Sequence, residues 1–481
     1  MTRKISIDPV TRVEGHGKVT IHLDEQNRVK ESRFHIVEFR GFEKFIQGRP
    51  YWEAAVLVQR LCGICPVSHH LAAAKAIDEV VGVGLQIPKT ATKMRRLMHY
   101  GQVLQSHALH FFYLAAPDLL LGVDASAQQR NVVGLIQEHK DLALRGIKLR
   151  KFGQEIIRAT AGKKIHGISA VPGGIHKNLS LEERDFFLKG TEVPSPKTGL
   201  LWMEELLDFV KSYYTQHRSW LDQFSQFPSN HLSIVGNDGL LDLYHGRLRA
   251  IDADGKVILN DVDYHDYLDY FAEDIKTWTY LKFPYLKELG PEKGWSRVGP
   301  LARLNVCEAI GTPLAQKKLE EYRSFVGQRV VNHCLYYHWA RLIEMVHCLE
   351  VIEDLLNDPD LQGDQLVAKG EQQASGIGVI EAPRGLLLHH YEVADTGEIS
   401  RCNLIVSTTH NNEAMNRSVG YVAEQRLSGV AEITEPLINE IEVGIRAYDP
   451  CLSCATHAVG TMPLEVSLFG SEGLVDRKLR H

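Results

Sequence analysis

The chain has 481 residues, about three domains' worth of length at roughly 150 residues each, and its 44% hydrophobic and 24% charged residues exclude a disordered protein. With 54 Lys+Arg against 60 Asp+Glu the net charge is −6, and no basic block offers a footprint for nucleic acid. No run of about 18 apolar residues occurs, which excludes a membrane-spanning helix and direct membrane insertion.

The start, Met1 to Pro9, carries charges but no apolar signal core and no twin-arginine pair, so a soluble chain with no export address of its own is expected. Residues 17–40 read as strands, because Lys18 to Leu23 alternates, Asp24 to Asn27 makes a turn and the stretch from Ser32 alternates again. From Trp52 the pattern turns helical, and the Ala-rich Leu71 to Val81 has high helix propensity. Further helices are predicted at 88–120, 126–161, 181–188 and 200–226. Short strands fall around Leu240–Ile251, followed by a Tyr/Asp-rich section near Tyr264–Tyr270. Helical periodicity returns at 314–324 and 328–356, strands at 376–409, and a last helix at 412–445. A strand-like Leu464 to Phe469 and a charged tail close the chain. No repeat, low-complexity tract or linker interrupts this, so the fold class expected is mainly α with small mixed β-sheets (α+β), as one body over 1–457.

Eight cysteines are too few for a disulfide scaffold, but their placement is informative. Cys62/Cys65 and Cys451/Cys454 are two C-x-x-C pairs at opposite ends of the chain, and two intervening residues let one backbone turn present both sulfurs to a single ion. A helix starting just past Cys65 puts its positive end near the thiols. A four-cysteine zinc site is the plain reading of such pairs, although zinc ribbons usually close small loops. A thioredoxin-like redox pair needs only one C-x-x-C. A redox-active transition metal suits soft thiolates, and each pair is flanked by a histidine, the second also by Asp449.

Arg60-x-Cys62-Gly-Ile-Cys65-x-x-x-His69 together with Asp449-Pro-Cys451-x-x-Cys454-x-x-His457 resembles the paired signature of nickel–iron hydrogenase large subunits. Arg12-Val-Glu14-Gly-His16-Gly, Arg40-Gly-Phe-Glu43, Gly299-Pro-Leu-Ala-Arg303 and Ala382-Pro-Arg384-Gly385 agree with it. The wording of Phe39 to Phe45 and Gly444 to His457 is most similar to the soluble, bidirectional NAD-reducing group. The resemblance implies the family's fold, long helices around a buried metal site. It also implies a reversible heterolytic cleavage of H2 into protons and electrons.

By the same resemblance, Cys62 and Cys451 are terminal nickel ligands, and Cys65 and Cys454 bridge nickel to an iron carrying carbon monoxide and cyanide. Cys451 takes the first proton and Glu14 is its next station. Thr11-Arg-Val-Glu14 also fits a capping box, but Gly15-His-Gly17 follows where an apolar helical run should begin. Arg384 lies over the metal site, paired with Asp449, and His69 donates to a bridging sulfur. Glu43, His457 and the backbone carbonyl of Leu404 hold a magnesium, an unusual place for a histidine. Many membrane-bound relatives have an aspartate where this chain has Ser106, which changes how Arg384 is held. Cys307, Cys334, Cys348, Cys402, His333, His338 and the Tyr336–Trp339 aromatics read as core filling.

The chain has no third cysteine cluster and no dinucleotide loop. The first implied partner is therefore an iron–sulfur small subunit. Beyond it is implied a module with FMN and iron–sulfur clusters that reduces NAD. The implied location is the cytoplasm. Family precursors are cut after the last motif's histidine by a maturation endopeptidase, which makes 458–481 an extension lost on maturation. Two alternatives stand beside this reading, a non-catalytic zinc scaffold and a deazaflavin-reducing large subunit.

Overall fold

A computed structural model describes residues 3–456 and the backbone of 464–470 and 473–480. β1 (Arg3–Ile7), β2 (Gly17–Leu23) and β3 (Val29–Ile36) form an antiparallel sheet with Ile21 opposite Ile5 and Val19 opposite Phe34. Val19, Ile21 and Leu23 are fully buried, the alternation that the sequence displays. The sequence pattern does not predict β1.

The centre of the molecule is α1 (Pro66–Val80), preceded by Cys65, with Pro66 in the first turn, where a missing amide proton leaves no bond unmade. Its alanines keep the helix slim. α2 (Lys89–Leu109) runs on into a π-helical turn, His110–Ala115, so the stretch expected as one helix over 88–120 changes its winding near the end. α3 (Lys140–Ala161) packs along α2, and α4 (Pro196–Gln216) follows. The helix expected over 126–161 begins only at Val132, where the Asn131 side chain caps it, and breaks at His139.

The 231–300 stretch holds more sheet than the sequence suggests. β4 (Asn230–Val235), β5 (Arg247–Ile251) and β6 (Val257–Val262) pair antiparallel, and the short β7 (Ser296–Arg297) joins β4 in parallel. α5 (Tyr336–Asn357) is buried on nearly every side, so no polar face marks where it starts. Residues 328–335, expected as its first turns, are instead irregular, with a bridge from His333 to Gln226.

β8 (Ser375–Ala382), β9 (Gly385–Val393) and β10 (Ile399–Ile405) form an antiparallel sheet that lies on α1. The approach is so close that a Cβ on Gly378 would stand 2.0 Å from the carbonyl oxygen of Ala72, and one on Gly376 2.0 Å from that of Ala76. Only glycine permits this contact. Pro383 and Arg384 form the two-residue tip between β8 and β9, and Gly385 has φ +131°, a conformation open to glycine. The last predicted helix is two, α6 (Asn412–Leu427) and α7 (Glu435–Ala447). Gly429 at φ +77° and Pro436 in the first turn of α7 account for the break. Beyond the site, β11 (Leu464–Gly470) pairs with β12 (Gly473–Arg480), so the expected charged tail is itself a strand.

Two buried ionic networks tie these parts together. Arg303 bonds Glu344 on α5 and Glu381 on β8, with His107 of α2 on Glu344, all four side chains without exposure. Burial opposes the charge on Glu344, yet Arg303 holds its carboxyl down at about 2. In the second, Asp118 lies between Arg12 and Arg446, while Thr11 and Arg446 share Glu442. This joins the N-terminal segment to α7. The chemistry-bearing ends of the chain meet there.

Candidate metal centre

A short 3-10 turn, Val58–Leu61, delivers Cys62, and the backbone turns so that the amides of Ile64 and Cys65 both donate to Cys62 Sγ, at 3.2 and 3.1 Å. Gln102 and Gln105 on α2 donate to the Ile64 carbonyl, and His166 reaches the Cys62 carbonyl at 3.0 Å. The second pair follows α7. Asp449 takes a left-handed φ of 53° before Pro450, and the Cys451 amide donates to Thr408 Oγ1 at 3.0 Å. A parallel bridge between Glu14 and Cys451 brings the N-terminal segment alongside.

The four sulfurs of Cys62, Cys65, Cys451 and Cys454 lie within 4.8 Å of one another, and all four residues are buried. Contacts among them run from 2.6 Å (Cys451–Cys454) to 3.8 Å (Cys65–Cys454). The neighbouring Cys451, Cys454 and Cys62 thiols, and then His69, hold the Cys65 thiol well below the usual range. Burial first, then neighbouring sulfurs, pushes Cys451 far above it. Burial likewise raises Cys454. Four thiolates therefore coexist here only if cations neutralise them, and soft sulfur donors suit nickel and iron. The residues fit such a group.

Around the sulfurs, Arg384 Nη2 pairs with Asp449 Oδ1 at 3.0 Å, Nε donates to the Asp449 carbonyl at 2.5 Å, and Nη1 reaches Ser106 Oγ only at 3.5 Å. Burial pushes the Asp449 carboxyl up to about 6 against the pull of Arg384 and Arg341. Glu14 is half-buried. Its Oε2 accepts from Cys451 Sγ at 3.0 Å and from the Ser453 amide at 3.2 Å, and the Ser453 hydroxyl donates to Oε1. No helix follows Glu14, and Thr11 bonds Glu442 instead, so the capping-box pattern has no helix to cap. His69, one turn into α1, lines a small cavity together with Cys65 and meets His389 Nε2 at 3.2 Å.

Glu43 is buried, its Oε1 accepting from the Leu404 amide at 2.9 Å, and burial pushes its carboxyl up to about 7. Glu43 thus meets Leu404 through the backbone N–H of that residue. His457 lies outside the described residues. Cys307, Cys334, Cys348, Cys402, His338 and Tyr336 to Trp339 are all buried, and His333 is half-buried.

Sequence reasoning missed Ser68, Ser407 and Thr408, which line a small cavity with Cys65, Arg384 and Leu387. Among the described residues Ser68 Oγ finds no hydrogen-bond partner there, although it is buried, and it is a donor suited to a small polar ligand. Nothing in the sequence marks these hydroxyls out from ordinary core residues.

Residues 4–39 match a family model described as HoxL-like, and residues 40–143 and 252–457 match that of the nickel-dependent hydrogenases. The chain is 54% identical to the beta subunit of the NAD-reducing hydrogenase HoxS of Cupriavidus necator, with 100% of both chains covered. It is 41% identical, over 98% of each chain, to a subunit of the F420-non-reducing hydrogenase of Methanothermobacter thermautotrophicus. Its structure matches a crystal structure of an NAD+-reducing [NiFe]-hydrogenase in the H2-reduced state with a TM-score of 0.91 and 57% identity, covering 95% of this chain and 99% of that one. A Ni-Fe-Se hydrogenase from D. vulgaris Hildenborough shares the fold at a TM-score of 0.73 and 24% identity, covering 95% of this chain and 100% of that one. With four buried sulfurs in one cluster and these likenesses along its length, the chain belongs to the nickel-dependent hydrogenase family and is a hydrogenase.

Proposed function

We propose that this chain is the subunit that cleaves H2 reversibly, and that its electrons pass through an iron–sulfur small subunit to a flavin module that reduces NAD. The observation that carries the reading is the cluster of four buried sulfurs with Glu14 bonded to one of them. Cys62 and Cys451 would hold nickel as terminal ligands, and Cys65 and Cys454 would join it to an iron bearing carbon monoxide and cyanide. When bound there, the nickel–iron pair supplies the redox chemistry that separates H2 into protons and electrons. The residues around it do the rest. Arg384 sets a fixed positive charge beside the sulfurs, and Asp449 holds it in place. Cys451 Sγ passes a proton to Glu14 Oε2, which is half-buried and so leads outward. Ser68, Ser407, Thr408 and Leu387 form the cavity that suits diatomic ligands on iron. Glu43, with His457 and the Leu404 carbonyl, would hold magnesium and brace the C-terminal segment.

Electrons need an exit, and the surface beside both cysteine segments suits a partner. Arg40 bonds the carbonyls of Arg60 and Thr456, and its neighbour Phe39 is 52% exposed. Ile165 and Ile168 stand exposed on either side of His166 and Gly167. Such side chains in contact with water favour a covering subunit. A complex of this kind accords with the relative named as a subunit of an NAD-reducing hydrogenase, and the cytoplasm is its proposed location. A deazaflavin acceptor draws nothing from the Methanothermobacter relative, whose name says that it does not reduce F420.

Metal analysis and infrared spectroscopy of the purified complex test this reading. Equimolar nickel and iron with carbonyl and cyanide stretches are expected. One zinc per chain without such bands would falsify it.

The extension after His457 is proposed to be removed by a maturation endopeptidase. Chain that retains residues 458–481 is expected to lack H2 turnover until trimmed. Mass spectrometry on the active fraction checks this, and full turnover by protein ending at His481 counts against it.

A further inference from the structure

Beyond the cysteines lies a continuous row of buried polar side chains. His69 sits four residues after Cys65 on α1, which places its ring over the preceding turn, and both residues line one small cavity. Its Nδ1 is 3.2 Å from His389 Nε2, and His389 Nδ1 is 2.7 Å from the Tyr391 hydroxyl. His389 and Tyr391 are two apart on β9 and so share one face of the strand. The intervening His390 points the other way, to Tyr267 and Ser375. His69 is 1% exposed, His389 and Tyr391 not at all.

The row has a direction. A thiolate can only accept a hydrogen bond, so the nitrogen of His69 facing Cys65 must carry a proton. In a neutral ring the other nitrogen, Nδ1, is then an acceptor and needs a donor. His389 Nε2 is the atom in reach, and it donates only if His389 Nδ1 is itself an acceptor. The group at His389 Nδ1 is the Tyr391 hydroxyl, which burial keeps protonated and which therefore donates. Three protons are aligned, all toward sulfur.

We propose that Tyr391 and His389 are positioning residues, which fix the ring proton of His69 on the nitrogen that faces Cys65 and so set how much electron density that sulfur gives the metal centre. The proposal rests on the reading of Cys65 as a bridging ligand. With Tyr391→Phe the hydroxyl that donates to His389 Nδ1 is lost. The proton of His389 can then move to that nitrogen, His69 Nδ1–H can donate to His389 Nε2, and a lone pair of His69 turns toward the sulfur. Cys65 loses its imidazole donor and becomes a stronger ligand.

The test is infrared spectroscopy of the purified holoenzyme complex with Tyr391→Phe, beside wild type, at matched nickel and iron content. The carbonyl and cyanide stretches are expected to shift to lower frequency, because a more electron-rich sulfur enriches the iron. His389→Leu is expected to shift them in the same direction, and adding Tyr391→Phe to it to produce little further change. Incorporation of 3-fluorotyrosine at 391, a similar shape with a stronger donor, is expected to shift the bands upward, and it carries the test if Tyr391→Phe does not load metal. Bands that stay at wild-type frequencies in the loaded variants overturn the proposal. A wild-type complex with no such bands instead overturns the reading of the centre itself.

Discussion

Arg384→Lys is expected to lower hydrogen-dependent dye reduction by about 10²- to 10³-fold, the cost of losing a preorganised charged donor at a reacting centre. The substitution keeps a positive charge but not the fork. Arg384 uses Nε on the Asp449 carbonyl and Nη2 on its carboxylate, so two nitrogens of one rigid plane hold the group in place. A lysine has a single ammonium on a flexible stem and cannot reproduce both contacts. Arg384→Leu is a poorer test of chemistry, since Asp449 is 2% exposed and stripping its partner costs about 3–5 kcal/mol of stability. The assay pairs turnover with nickel and iron content. Activity within about twofold of wild type in fully loaded Arg384→Lys protein would remove Arg384 from the reaction.

Glu14→Gln is expected to cost about 10²- to 10⁴-fold in turnover, the range for losing a positioned proton acceptor, with metal content unchanged. The glutamine oxygen can still accept from the Ser453 amide, so the local backbone survives. What disappears is a carboxylate able to take the proton from Cys451 Sγ. Exchange of D2 with solvent protons is expected to fall along with turnover, because both need that transfer, and Glu14→Asp is expected to recover part of each. Normal exchange in Glu14→Gln would show that protons leave by another route.

The site was legible where chemistry needs fixed spacing in sequence. Two C-x-x-C pairs each put two sulfurs on one turn, and the structure brings the pairs together. The distance between them along the chain concealed the meeting, and the family resemblance supplied it. Arg384 and Asp449 likewise came from resemblance, because an isolated arginine and an aspartate say nothing about pairing until a hairpin tip and a left-handed residue bring them within 3.0 Å. The hydroxyls of Ser68, Ser407 and Thr408 left no trace in the sequence. Their place on the cavity wall is a matter of which way a short side chain faces. In the fold, amphipathic elements such as β2 announced themselves. α5 lost its boundary because a helix buried all round has no polar face to give it a period. The break between α6 and α7 could have been read from Ser428-Gly429 and Glu435-Pro436, where a backbone conformation and a missing amide outweigh helical periodicity.

Cys62 and Cys451 touch across 389 residues of chain, and Glu14 and Cys451 across 437. Closing so long a loop costs little more than closing one half its length, since the penalty grows only with the logarithm. The timing is another matter. A chain still on the ribosome displays Cys62 and Cys65 while the other two donors are unmade, and a prematurely ended chain never acquires them. The four-sulfur cluster therefore exists only on a polypeptide synthesised at least as far as Cys454. In this way the donor set depends on everything between Glu14 and α7 having been made first.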